Sequence, residues 1–256
     1  VGRLREYYYV GGMPEAVAQF AKDQDLSEVR AIHREIMGSY VRDFAKHAPH
    51  ADIPRLLHIW DSIPSQLARE NKKFLYQTVK TGARAREYED ALLWLIQAGL
   101  VYKINRCSKP NIPLSAYDDL SAFKLYLLDV GLLRILAQLD TAAFKDGNRL
   151  FTEFKGALTE NYILQCLLPK FEVLPHYWSS EGKAEVDFII QHHNDIYPVE
   201  VKSEDNIRSK SLTLFYQKYN PPLRIRYSLR NLKIDDGLLN IPLFMADYTR
   251  KLLELI

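Results

Sequence analysis

The sequence predicts an α+β protein, in which an all-helical N-terminal part is followed by an α/β domain with a mixed central sheet. Two observations lead to this prediction. Apolar residues recur at helical spacing through most of the first half of the chain. The second half then runs in the order helix, three strands, helix, strand, which is an α/β order.

Composition narrows the class of protein. Of the 256 residues, 47% are hydrophobic and 26% are charged, so the chain is globular rather than disordered. The net charge of +2 gives no overall basic field for nucleic acid, so such a partner would need a local patch. No apolar run approaches the roughly 18 residues of a membrane span, so no membrane partner is expected. Cys107 and Cys166 form no closely spaced pair, which favours a reducing, cytoplasmic location.

The first 50 residues are predicted to be helical. Pro14 beside an acidic residue suits a helix start, and the helical pattern continues to Lys22. A longer amphipathic helix is expected over Leu26–Ala48, with Ser27 as its N-cap. We assign residues 1–50 to one helical segment.

Residues 51–140 are expected to form a second domain. After a helix over Asp52–Ile63 come two short helices, a longer one over Tyr88–Gln97 and a strand over Leu100–Asn105. Three helices followed by a strand resemble a winged helix. A short strand and a helix follow in Phe123–Leu136, and the polar stretch Asp140–Leu150 is the candidate boundary.

The last domain, residues 150–256, contains a hairpin with charges among its apolar residues. Its two arms are AEVDFIIQ and DIYPVEVKS. Because side chains alternate along a strand, Asp187 and Glu200 are expected on one face of adjacent strands, with Lys202 two residues beyond Glu200. The preceding helix would add Glu160 if its apolar side packs on the sheet.

This constellation suits a metal site. Two close carboxylates repel each other unless a cation screens them, and hard oxygen ligands suit Mg²⁺ or Mn²⁺. Such an ion can activate water and stabilise a leaving phosphate oxygen, while the lysine orients the water or steadies the developing charge. The alternative is a solvated polar face, since Asp, Glu and Lys are common there. The apolar character of the second arm favours a central strand. A charged side chain there is costly to bury unless it has a partner.

The Asp and Glu-x-Lys residues resemble the PD-(D/E)xK nuclease core, which is a restriction-endonuclease-like fold. By position, the resemblance implies that Asp187, Glu200 and the Val201 carbonyl bind metal. It makes Lys202 the catalytic lysine and Glu160 the acid of the family's helix. Val186 departs from the family's proline before the aspartate.

Segments along nearly the whole chain also resemble the C-terminal portion of one family. They are VGGMPEAV, WLIQAGLVYKINR, KLYLLDVGLL, KGALTENYI, HYWSS, AEVDFII and PVEVKS. The family is that of bacterial and archaeal AAA+-type ATPases with a C-terminal domain of unknown function. The resemblance implies a P-loop module upstream that binds ATP, a lid-like residue range 1–50, and homo-oligomers formed through the parent ATPase.

The chain departs from that family because it has no G-x-x-x-x-G-K-[ST] motif, so we expect no ATP hydrolysis by this chain alone. Since the sequence opens with Val1, we also expect it to be a fragment of a longer protein.

A basic cluster in the second domain is a candidate DNA-binding surface. Positive residues on a winged helix would contact DNA phosphates without reading sequence. A solvated face is the alternative, because acidic residues follow directly. The cluster consists of Lys72, Lys73, Lys80, Arg84 and Arg86.

Further basic residues near the last strands, and two before the helix that follows the Glu-x-Lys strand, could line a phosphate channel: Arg224, Arg226, Arg230, Lys233, Arg208 and Lys210. Against a nuclease, residues 151–256 hold 13 basic and 14 acidic residues, which is a poor nucleic-acid surface. The alternative function is therefore a non-catalytic interaction or oligomerisation module of the same ATPase family.

Overall fold

The computed structural model describes residues 2–139, 149–180, 184–203 and 209–256, without the side chains of 149–153. Within these ranges the chain forms ten α-helices and a mixed eight-stranded sheet. The helices come first and most of the strands follow, so the α+β prediction is confirmed. The candidate boundary Asp140–Leu150 falls mostly outside the described residues.

The chain divides into two compact units. One consists of Gly2–Lys103 and Leu125–Leu158, and we call it the helical unit. The other consists of Ile104–Lys124 and Thr159–Ile256, and we call it the sheet unit.

Seven helices lie wholly in the helical unit, and one short helix, rather than the predicted two, lies between the fourth and the sixth of them. They are α1 Gly2–Val10, α2 Pro14–Asp23, α3 Leu26–His47, α4 Ile53–Leu67, α5 Tyr76–Val79, α6 Ala85–Gln97 and α7 Val130–Leu136. The N-cap predicted for α3 was wrong by two residues. Asp25 is the cap, because its carboxylate accepts a hydrogen bond from the Ser27 backbone nitrogen at 2.8 Å.

A close backbone approach joins the start of α7 to the glycine pair after α1. The Asp129 carboxylate caps α7 through Leu132 N at 3.0 Å and accepts from Gly12 N at 2.7 Å. Gly11 has a φ of +66°, and a Cβ there would lie within 2.2 Å of the Asp129 carboxylate. The segments GGMP and DVGLL are therefore needed for packing in the helical unit.

A buried arginine also holds α1, α3 and α7 together. Arg134 stacks on the Tyr9 ring at 3.7 Å and donates to the carbonyls of Tyr9 and Leu139. Its guanidinium also lies 3.2 Å from His33 Nδ1. Burial and the charge of Arg134 lower the pKa of His33 to about 4, so this histidine is neutral at pH 7.

The sheet has the strand order β2-β1-β3-β4-β5-β6-β8-β7. Two of its strands, β7 and β8, were not predicted from the sequence. The strands are β1 Val101–Cys107, β2 Asp118–Leu127, β3 His176–Ser179, β4 Glu185–His192, β5 Asp195–Val201, β6 Arg224–Ser228, β7 Lys233–Asp235 and β8 Leu238–Pro242. The remaining helices are α8 Arg149–Leu167, α9 Lys210–Tyr219 and α10 Thr249–Leu253.

A β-bulge changes the alternation that we expected in β4. In the β3–β4 ladder, His176 faces Ile189 and Trp178 faces Val186, so β4 carries one more residue than β3 over this stretch. Val186 and Ile189 consequently pack in the same apolar cluster, together with Phe215 of α9. Strict alternation along β4 would place Val186 and Ile189 on opposite faces, and the bulge removes that alternation.

Candidate functional site

The site begins where β4 and β5 stop pairing. Their antiparallel ladder runs from His192 and Asp195 to Phe188 and Val199, and the next residue of β4 is Asp187. The Asp187 carboxylate accepts a hydrogen bond from Val201 N at 2.7 Å. It therefore lies against the peptide that joins Glu200 to Val201.

Glu200 is a buried carboxylate that is only partly satisfied. Its side chain is 8% exposed, and Oε1 lies 2.6 Å from Lys202 Nζ. Oε2 is buried and has no hydrogen-bond partner among the described residues. A buried oxygen of this kind costs free energy unless a water or a cation completes its bonding.

The electrostatic surroundings of Glu200 include a second buried acid. Burial raises the pKa of the Glu200 carboxyl, Lys202 opposes this, and Glu160 of α8 raises it further. Glu160 itself is 5% exposed. The helix acid expected from the sequence thus lies within electrostatic reach of Glu200, as do the two lysines Lys202 and Lys124.

A polar row crosses the parallel strands beside Glu200. In the β5–β6 ladder Glu200 faces Arg226, and in the β6–β8 ladder Arg226 faces Asn240. Arg226 Nε donates to Asn240 Oδ1 at 3.0 Å. The row places a guanidinium directly beside the candidate metal ligand.

A second lysine near the site was not predicted from the sequence. Lys124 of β2 is fully buried, pairs with Glu185 Oε1 at 2.5 Å and lies 4.7 Å above the Tyr177 ring. Its charge lowers the pKa of Glu200. The signal was a lysine within the apolar run FKLYLL, which is the same kind of signal that drew attention to Glu200.

Only a small ligand set is available for a metal. Over the described ranges, no three His, Cys, Asp or Glu side chains are grouped to hold an ion. Mg²⁺ often uses one or two carboxylates and completes its shell with waters and substrate phosphates. Asp187, Glu200 and the Val201 carbonyl, the predicted ligands, fit that pattern of sparse protein ligation.

The predicted DNA-binding residues belong to the helical unit, whereas the residues of this site belong to the sheet unit. Lys80, Arg84 and Arg86 are exposed, whereas Lys72 and Lys73 are half-buried. Lys80 also lines a cavity of about 510 Å³ beside α4 and α6, together with Arg55 and His58. The exposed three are the members of the cluster best placed to meet a phosphate backbone.

Two protein-family models match the chain. Residues 1–143 of the 256 match the model of a domain of unknown function, DUF8612. The chain belongs to the DUF8612 family. In this DUF8612 protein, residues 155–245 match a second domain of unknown function, DUF4143, which is often found in ATPase-associated proteins. The DUF4143 match contains Glu160, Asp187, Glu200 and Lys202.

Other comparisons add little for this DUF8612 protein. No curated protein matches it. The crystal structure of protein VC1899 from Vibrio cholerae aligns at 14% identity over 82% of this chain, with a TM-score of 0.26. The alignment spans 57% of that protein's length. A TM-score this low does not support an inference about fold or function. Among the described helices, none is long and apolar enough to cross a bilayer.

Proposed function

We propose that the sheet unit hydrolyses nucleic-acid phosphodiesters, with DNA as the substrate, using Mg²⁺ or Mn²⁺. The observation that carries this proposal is the buried Glu200 carboxylate, whose Oε2 has no hydrogen-bond partner among the described residues. Perturbed, buried carboxylates of this kind concentrate at functional sites. A cation at Oε2 would offset both the burial of Glu200 and its repulsion by Glu160.

The chain's own residues would divide the work. Asp187, Glu200 and the Val201 carbonyl would hold the ion, and Glu160 would strengthen the negative field that attracts it. When bound, such an ion would lower the pKa of water and polarise the phosphate. Lys202, at 26% side-chain exposure, can leave Oε1 of Glu200 to orient the attacking water or steady the phosphate charge.

The order of elements supports this assignment. Helix α8 is followed by β3, β4 with Asp187, β5 with Glu200 and Lys202, α9 and β6, which is the order of the PD-(D/E)xK core. The order α4, α5, α6, β1, β2 also suits a winged helix, which would present Lys80, Arg84 and Arg86 to DNA. We further propose that the chain acts together with an AAA+-type ATPase module, which would bind ATP and supply homo-oligomerisation.

A second candidate is a non-catalytic interaction or oligomerisation module. It is favoured by the pairings that already satisfy much of the site. Lys202 neutralises Glu200 Oε1, and Asp187 is bonded to Val201 N. In that case the polar row stabilises the sheet, and the sheet unit binds other proteins without catalysing a reaction.

Cleavage of labelled DNA, single-stranded and duplex, with Mg²⁺, Mn²⁺ or EDTA separates the two candidates. We expect metal-dependent cleavage by the wild type and a loss of at least about 100-fold in Lys202→Ala, in the range of a general acid–base residue. Lys251→Ala, an exposed lysine of α10, is the matched control and should cleave like the wild type. Equal cleavage in all three proteins would indicate a contaminant and reject the proposal. Absence of cleavage and of metal binding would establish the second candidate.

A further inference from the structure

We infer that Arg226 binds the phosphate group of the nucleic acid at the candidate site. This inference rests on the proposed function and names the residue that recognises the substrate's charge. Arg226 is partly exposed, and the register of β5 and β6 places it beside Glu200. Because arginine presents a planar set of donors that matches a phosphate, it suits this position better than lysine would.

Asn240 fixes the orientation of Arg226. Its Oδ1 accepts from Arg226 Nε at 3.0 Å and from Ser228 Oγ at 2.7 Å. Its Nδ2 donates to the backbone carbonyls of Arg230 and Asn231. Asn240 is 4% exposed and uses both ends of its amide, so its position is tightly determined. A guanidinium held in this way loses little entropy when it binds an anion.

A second guanidinium, that of Arg230, lies within electrostatic reach of Arg226. Burial lowers the pKa of Arg226, and the nearby charge of Arg230 lowers it further, while Glu200 raises it. Two guanidinium groups that repel each other are stabilised when an anion lies near both.

The structure separates Arg226 from the other basic residues that the sequence grouped with it. Arg224 packs over the Tyr216 ring at 4.5 Å and donates to carbonyls in the turn between β7 and β8. Lys233 pairs with Asp235 at 2.7 Å on the exposed strand β7. These contacts maintain local structure at Arg224 and Lys233, and Arg208 lies outside the described residues.

Arg224 supplies a matched control for the experiment. It lies two residues before Arg226 on the same strand and the same face, and it is likewise partly buried. A purely structural role for basic residues of β6 would therefore affect both positions. A role in phosphate binding would affect Arg226 alone.

The test is fluorescence anisotropy of a short labelled DNA in EDTA, so that binding is measured without metal or cleavage. We expect Arg226→Gln to bind roughly fivefold to tenfold more weakly, with a salt slope lower by about 1. Arg224→Gln should bind like the wild type. Arg226→Lys should restore the salt slope but not the full affinity, because it keeps the charge and loses the planar fork.

Equal affinities of wild type, Arg226→Gln and Arg226→Lys would overturn the role of Arg226. So would an equal loss in Arg224→Gln, because that result indicates a structural effect of β6. Circular dichroism checks that each variant is folded, and Arg226→Lys keeps the test decisive if Arg226→Gln does not fold. Cleavage is scored separately in Mg²⁺, so its absence rejects the proposed function without deciding the affinity comparison.

Discussion

The backbone nitrogen of Val201 donates a hydrogen bond to the Asp187 carboxylate at 2.7 Å, where the β4–β5 ladder ends. The side chain of Asp187 thus satisfies a strand N–H that has lost its place in that ladder. The same bond brings the Asp187 carboxylate to the peptide that follows Glu200. One aspartate therefore maintains the divergence of two strands and supplies a second acid to the candidate site.

Two substitutions of Asp187 separate these roles. Asp187→Asn keeps an oxygen acceptor for Val201 N but removes the charge, so we expect stability near the wild type and weaker metal binding. Asp187→Ala leaves that N–H without its partner and should cost about 1–3 kcal/mol of unfolding free energy. Urea denaturation measures stability, and calorimetry measures Mn²⁺ binding. Equal destabilisation by both variants would contradict the role of the hydrogen bond.

Substitutions of Lys124 and Glu185 should have strongly non-additive effects on the free energy of unfolding. Lys124 is fully buried, whereas the Glu185 side chain is 22% exposed. Lys124→Met leaves Glu185 without its cation and should lower the free energy of unfolding by about 3 kcal/mol. This value is near the lower end of the range for a broken buried ion pair, because water reaches Glu185. Lys124→Met combined with Glu185→Leu should recover most of that loss. Urea denaturation of the two single variants and the double variant gives the coupling free energy between the two residues. Additive changes in unfolding free energy would contradict the predicted coupling.

His33 should make the helical unit sensitive to acid. Its pKa is lowered from 6.5 to about 4 in the folded protein, so the unfolded state binds the proton more tightly. The stability that neutral His33 contributes is present above pH 6.5 and is lost as the pH falls towards 4. This pKa shift corresponds to a contribution of about 3 kcal/mol to the free energy of unfolding. Unfolding free energies between pH 7 and 4 should fall less in His33→Gln, and parallel pH profiles would contradict this account.

The exposed basic residues near α6 should bind DNA through charge alone. We expect the triple variant Lys80→Gln, Arg84→Gln, Arg86→Gln to bind more weakly to every DNA sequence, with a salt slope lower by about 2–3. An equally exposed triple in the same unit, Lys22→Gln, Arg34→Gln, Lys46→Gln, controls for net charge. Both triple variants are measured by fluorescence anisotropy at several salt concentrations. A similar loss of DNA affinity in both would contradict a specific DNA-binding surface at Lys80, Arg84 and Arg86.

The sequence predicted local structure best where the pattern extended over many residues. The long amphipathic helix α3 and the two arms of the hairpin were recognised from periodicity. The short strands β7 and β8 were missed because three to five residues with little alternation give no clear period. The N-cap of α3 was misplaced because Asp25 and Ser27 are both good caps and only the fold decides between them.

Features of the site that depend on register could not be predicted. The bulge in β4 arises from the pairing with β3, so alternation within β4 alone would place Ile189 on the wrong face. The alignment of Glu200, Arg226 and Asn240 requires three strands from distant parts of the chain. Lys124 comes from 61 residues before its partner Glu185, a distance at which sequence spacing carries no information.

Isothermal titration of the wild type and Glu200→Gln with Mn²⁺ and Mg²⁺ tests the central claim most directly. We predict binding by the wild type, and at least about tenfold weaker binding when the charge that faces the ion is removed. Because burial raises the pKa of Glu200, binding should also weaken as the pH falls and should release protons. Glu172→Gln, an exposed acid of the same unit, is the control and should bind like the wild type. No binding by the wild type, or equal binding by Glu200→Gln, would contradict a metal site at Glu200.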